Sequence, residues 1–229
     1  IHSHGDGNME ADPRVESVIR QGVTAMVVGA DGSSRATGAP DKSFAAMFDA
    51  IDRLKPGPNV ASMIGFGEVR EAVIGDVDRP ATPDEITRMV TMVDNGLNDG
   101  ACGGSSGLEY TPGAFAPREE LIALARPLAG RRLPYATHMR NEDDRLIEAI
   151  EESIAVARGA GCPLQISHLK TQGPRNWSKL DRVFLLIDAA RAARTDVAFD
   201  RYPYVAYATG LTNLFPVWSR DGGIDRFLA

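Results

Sequence analysis

The sequence predicts an α/β protein on a parallel sheet, a (βα)8 TIM-type barrel, and three observations carry that expectation. Short β-branched runs alternate with longer stretches of helical period. The repeat has the length of one βα unit, about 30 residues. Polar, chemistry-bearing residues fall at the C-terminal ends of several different strands, as the active face of a barrel requires. An open doubly wound sheet would gather them at one switch point, and no glycine-rich phosphate loop follows the first strand.

The strand candidates, in order, are 24–29 (TAMVVG), 59–65 (NVASMIG), 100–107 (GACGGSSG), 133–139 (LPYATHM), 162–168 (CPLQISH) and 196–204 (DVAFDRYPY). The opening "IHSHGDGN" would close one more strand whose body is mostly missing. Amphipathic helices are predicted over 42–55, 84–100, 118–130, 142–161 and 178–194. In the fourth, Leu146, Ile147, Ile150, Ile154 and Val156 form the apolar face. Thr82 before Pro83-Asp84-Glu85 supplies a cap, a first-turn proline and acidic residues at a helix start. Gly130 and the Gly159/Gly161 pair are expected to stop their helices. About seven strands are countable against the eight of a closed barrel, so the barrel is expected to be incomplete, its last βα unit absent.

Composition narrows the partners. The 229 residues are 43% hydrophobic and 24% charged, ordinary values for a globular domain, here read as one barrel domain over 1–229. A net charge of −6 argues against nucleic acid, and no apolar run reaches the roughly 18 residues of a membrane span. Cys102 and Cys162 are too few for a disulfide framework. The chain opens on Ile1 rather than Met, so it reads as part of something longer, and cytoplasm and periplasm both stay open.

Four histidines make up the whole complement, and the strand pattern puts all of them at strand ends: His2, His4, His138 and His168. His2 and His4, two apart on a strand, would leave the same face. Neutral imidazole suits zinc and its first-row neighbours. Any one of these histidines could be a polar strand-end residue with a single hydrogen bond. A His-x-His joined by two later strand-end histidines points instead to a metal site.

The segments "IHSHGDGN", "GVTAMVVGADGSS", "NVASMIGFGEVR", "GACGGSSGLEYTPG", "YATHMRNEDDRLIEAIEESIAVARGAGCPLQISHLK" and "FDRYPYVAYATGL" resemble the N-acyl-D-amino-acid deacylases (D-aminoacylases) of the amidohydrolase superfamily. The resemblance covers nearly the whole chain. It implies a metal-dependent hydrolase barrel, with a small flanking β domain, that cleaves the amide of an N-acyl amino acid. It implies one or two divalent ions, Zn2+ foremost, held by His2, His4, His138 and His168. Asp31 stands where the family has a cysteine ligand; a carboxylate also binds zinc, though it is equally at home in the turn "GADGSS". Lys170 and Tyr202 resemble the residues that hold the substrate carboxylate, whereas Tyr204 is expected in the core. Arg140 and Glu142 are expected to position a loop or form an ion pair. Phe66 replaces a polar residue of the family near the site, and Cys102 reads as buried packing.

The family's catalytic aspartate would lie beyond residue 229, so this stretch alone is expected to be inactive. Two alternatives remain at this stage. One is a cyclic amidohydrolase of the dihydroorotase or hydantoinase type, which usually needs a carboxylated lysine that "GACGGSSGLEY" does not offer. The other is an inactive metal-binding barrel remnant. Acyl and side-chain specificity, enantiomer and oligomeric state are not legible.

Overall fold

The structure, a computed structural model, describes residues 2–229. Its strands are β1 (Ala25–Val28), β2 (Asn59–Ser62), β3 (Ile64–Gly65), β4 (Gly104–Gly107), β5 (Tyr135–His138), β6 (Leu164–Ile166) and β7 (Val197–Phe199). All pairings are parallel, β1 with β2 and then β3-β4-β5-β6-β7 in chain order. The predicted 59–65 strand is one run that changes partner at Met63. The Met63 N–H donates to the Val28 carbonyl, and the next N–H, of Ile64, donates to Gly103. The two sheets are thus one curving wall handed on through a single segment.

The helices are α1 (Glu16–Ile19), α2 (Phe44–Leu54), α3 (Phe66–Ile74), α4 (Pro83–Asn98), α5 (Arg118–Arg131), α6 (Leu146–Ala160), α7 (Leu180–Ala192) and α8 (Gly223–Leu228). One or two helices separate each strand from the next partner, as parallel pairing demands. Their apolar faces meet the strands in one main core, including Ile64, Val93, Leu128, Ile150 and Ile187. Thr82 forms a capping box with Glu85 at the start of α4. No helix among the described residues is long and apolar enough to cross a membrane.

Several expectations are corrected. His2 to His4 form no strand; they lead into a 3-10 turn over Gly5–Asn8, where Ser3 Oγ accepts the Gly5 N–H. Glycine and aspartate in "HGDGN" favour that turn over extended chain. His168 also lies past its strand, in the left-handed region at φ 37°. Helix α3 was unforeseen, and Phe66 opens it instead of facing the site: it is buried and stacks on Tyr135 at 5.9 Å between ring centres. Gly130 lies inside α5, which ends at Arg132 in the left-handed region, with Leu133 N–H closing back on Leu128. Gly159 is interior to α6; a Cβ there would come within 2.9 Å of Ile122, so it serves helix packing, and Gly161 makes the cap. Tyr204 is 67% exposed rather than core. Cys102 is half-buried just ahead of β4, beside Ala30, Met63 and Ala136.

Candidate metal centre

Asp31 sits three residues past β1 in a turn with Gly29, Asp31 and Gly32 all at positive φ. Ser105 on β4 pins that turn from both sides: its hydroxyl donates to the Gly29 carbonyl (2.6 Å) and accepts the Gly32 N–H (3.1 Å). The wall against it is glycine by necessity, since a Cβ on Gly107 would lie 2.1 Å from the Asp31 carbonyl oxygen. His138 is the last residue of β5, its strand tied to β4 by a buried hydroxyl chain, Tyr135 to Ser106 (2.6 Å) and Ser106 to Thr137 (2.9 Å). Asp200, just past β7, accepts the His168 N–H at 2.7 Å and so fixes the turn after β6.

These segments deliver four imidazoles to one oxygen. Around Asp31 Oδ2 lie His4 Nε2 at 3.1 Å, His2 Nε2 at 3.4 Å, His168 Nε2 at 3.6 Å and His138 Nδ1 at 3.7 Å. His2 Nε2 and His4 Nε2 are 3.3 Å apart. Donor atoms at the corners of a tetrahedron with 2.0–2.2 Å metal bonds stand about 3.3–3.6 Å from one another, a spacing that His2 and His4 match and that the Asp31 contacts bracket. Asp31 Oδ1 is buried with no hydrogen-bond partner, an orphan that a cation would satisfy. His2, Asp31 and His168 form one group with donor atoms within 4.8 Å of each other, and His138, Glu142 and His168 form a second. A donor set of imidazole and carboxylate suits a divalent first-row ion, zinc among them.

At His4, Asp31, His138 and His168 burial opposes charge, yet hydrogen bonds outweigh it. Burial raises the Asp31 pKa, but four imidazoles hold the carboxyl well below the usual range. Burial lowers that of His138, but Asp31 and Glu109 lift it to about 9. His168 is raised in the same way by Asp31 and Glu142, and His4 chiefly by Asp31. The centre is therefore an electronegative trap that takes up protons where it lacks a cation.

All seven residues singled out from sequence, His2, His4, Asp31, His138, His168, Lys170 and Tyr202, line one cavity of about 430 Å3, a volume typical of small-molecule sites. Lys170 Nζ stands 5.5 Å from the centre of the Tyr202 ring. The cavity also holds Glu109, Tyr110 and Asp200, which sequence reasoning passed over, and Glu142, which it expected to position a loop or form an ion pair. Glu109 meets His138 Nε2 at 3.2 Å, and the Tyr110 hydroxyl is 3.5 Å from His138 Nδ1. Glu142 meets His168 Nδ1 at 2.9 Å and Lys170 Nζ at 2.5 Å. It does not pair with Arg140, which instead grips Glu152 and the carbonyls of Ala114 and Ala116. The available signal was an acidic residue just past three of the strand ends: two after β4 for Glu109, four after β5 for Glu142, one after β7 for Asp200.

No protein-family model matches the chain. It is 36% identical over 224 residues to the N-acyl-D-glutamate deacylase of Alcaligenes xylosoxydans xylosoxydans, a match covering 91% of this chain and 46% of that protein. The D-aminoacylase of the same organism is 36% identical, over 92% of this chain and 47% of its own length. The chain thus spans about half the length of the curated relatives it matches. Among solved structures, the Bordetella bronchiseptica N-acyl-D-glutamate deacylase, complexed with zinc and a phosphonate mimic of the tetrahedral intermediate, superposes with a TM-score of 0.84 at 36% identity. That superposition covers 89% of this chain and 46% of the other.

Proposed function

We propose, on the premise that this chain belongs to the N-acyl-D-amino-acid deacylase family of the amidohydrolase superfamily, that the whole protein hydrolyses the amide of an N-acyl-D-amino acid. The products would be a carboxylate and the free amino acid. The observation that carries the reading is the convergence of His2, His4, His138 and His168 on Asp31 beside Lys170 and Tyr202 in one cavity.

His2, His4, Asp31, His138 and His168 would hold one or two divalent ions. Such an ion, zinc above all, supplies Lewis acidity toward the amide carbonyl and an activated water at neutral pH. The chain's own residues do the rest. Lys170, with three N–H donors and one partner carboxylate, keeps donors free for the carboxylate of the substrate. Tyr202 and Tyr207 flank the ammonium at 5.5 and 5.8 Å and give that end of the cavity an aromatic wall. Holding the substrate by its carboxylate sets the amide toward the imidazole cluster, which is catalysis by orientation.

The pocket's own carboxylates are engaged: Asp31 with four imidazoles, Glu142 with His168 and Lys170, Glu109 with His138, and Asp200 with a backbone N–H. The resemblance to the deacylases implies that the carboxylate carrying a proton from water to the leaving amine lies outside residues 1–229. The same applies to closure of the wall. Strands β1 and β7 each lack a second partner among the described residues, and Phe184, Leu185 and Phe199 stand exposed along that last edge. A further βα unit that covers them and joins β1 would complete the barrel, with 1–229 as one part of a single barrel domain. The cyclic-amide alternative gains nothing here, as β4 carries no lysine.

The test is elemental analysis of the purified whole protein, together with acid release from N-acyl-D- and N-acyl-L-amino acids. Stoichiometric zinc with D-selective release supports the proposal. Zinc with no amidase activity on either series refutes it.

A further inference from the structure

Three side chains beside the centre form a closed triangle: Glu142 Oε1 to His168 Nδ1 at 2.9 Å, Glu142 Oε2 to Lys170 Nζ at 2.5 Å, and Lys170 Nζ to His168 Nδ1 at 3.0 Å. One acceptor, Glu142 Oε1, and one donor, the Lys170 ammonium, therefore compete for one ring nitrogen. Either Nδ1 carries the proton and donates to Glu142, or it is bare and accepts from the Lys170 ammonium. The choice matters at the opposite side of the ring, because Nε2 is the atom 3.6 Å from Asp31 Oδ2. In a neutral imidazole only the first arrangement leaves a lone pair there. Glu142 is 2% exposed and sits on the chain segment whose carbonyl takes the Gln172 N–H, so it is held in place from both ends.

We infer that Glu142 is a positioning residue that keeps His168 in the tautomer able to bind a divalent cation, by drawing the competing ammonium of Lys170 onto its second oxygen. The ion half of this inference uses only the geometry of the cluster; its setting as a hydrolase rests on the preceding proposal. With glutamine at 142, the amide oxygen goes to the charged ammonium, the stronger bond. The amide N–H2 then faces Nδ1, which becomes an acceptor, and the ring proton moves to Nε2. The carbon skeleton is unchanged, but the ligand atom is blocked.

The experiment is a zinc competition against a chromogenic chelator, on the whole protein and four variants. Glu142→Gln is expected to weaken zinc about 10–100-fold, the usual cost of losing a group that orients a ligand. Lys170→Met alone should shift it only slightly, since Glu142 still takes the Nδ1 proton. The distinctive outcome is the double variant: Glu142→Gln/Lys170→Met should bind zinc more tightly than Glu142→Gln, because the donor that captures the glutamine oxygen has gone. Glu142→Asp, which keeps the charge on a shorter arm, should fall between wild type and Glu142→Gln, and covers the case in which the glutamine variant does not fold. Zinc affinity unchanged in both Glu142 variants overturns the inference, and so does a double variant weaker than the single. Because the assay needs no turnover, unchanged zinc binding in an active deacylase sinks only this inference. Glu142-dependent zinc in a protein without amidase activity sinks only the functional proposal.

Discussion

Arg70 and Glu120 offer a prediction whose size follows from the structure. Both side chains are 1% exposed, and Arg70 Nη1 meets the two carboxylate oxygens at 2.5 and 2.6 Å. Nη2 donates to the carbonyls of Val77 (3.3 Å) and Arg79 (2.6 Å), so the pair ties α3 and α5 to the loop that leads into α4. Arg70→Met would leave a buried carboxylate whose one remaining donor is the Ala81 N–H at 3.4 Å. Breaking such a pair from one side costs about 3–5 kcal/mol. Glu120→Leu strands the guanidinium and should cost a similar amount. The double variant removes both charges and loses the two carbonyl contacts and the long Ala81 N–H bond, about 1 kcal/mol each at most, against some apolar burial. It should therefore be far more stable than the sum of the singles, with a coupling energy of about 3 kcal/mol or more. Urea unfolding of the four proteins measures the cycle. Additive effects, or single variants within 1 kcal/mol of wild type, would refute the view that this pair is a desolvated ion pair holding the loop.

Further outcomes follow from the same geometry. Gly107→Ala would set a methyl 2.1 Å from the Asp31 carbonyl oxygen, so it should displace that turn and weaken zinc retention. Gly130→Ala, which meets nothing within 4 Å, should leave zinc retention as it was and, being helical, stabilise slightly. A metal-free preparation should lose stability as pH rises. The His138 pKa stands near 9 against an ordinary 6.5, so its protonated form stabilises fully below about pH 6.5 and ceases to do so as pH passes 9. Unfolding midpoints that stay level across that window would contradict the proton-trap account. Tyr135→Phe, which deprives buried Ser106 of its 2.6 Å partner, should cost about 1 kcal/mol, measurable by thermal denaturation.

The α/β class and the main helices were legible because each carries a long periodic signal; α4 and α6 show it over 16 and 15 residues. What sequence could not reveal were features set by partners distant in the chain. Helix α3 lies in "FGEVREAVI", whose pattern is ambiguous at nine residues; its burial is decided by Glu120, fifty positions away. The break at Met63 exists because the strand changes neighbours there, a property of the sheet rather than of "NVASMIG". The candidate metal centre was legible through its histidines, and the structure gathers them even though three, His2, His4 and His168, stand outside any strand. Its carboxylates were not, because acidic residues are everywhere and only three-dimensional proximity singles out Glu109, Glu142 and Asp200. Asp31 bridges the two cases. Read from sequence it was a turn residue or a ligand. At φ 54° between Ala30 and Gly32 it is the first by backbone, and that turn is what aims its carboxylate into the imidazoles. The left-handed turn and the imidazole cluster are therefore one feature, and a substitution that relaxes the turn should also disperse the cluster.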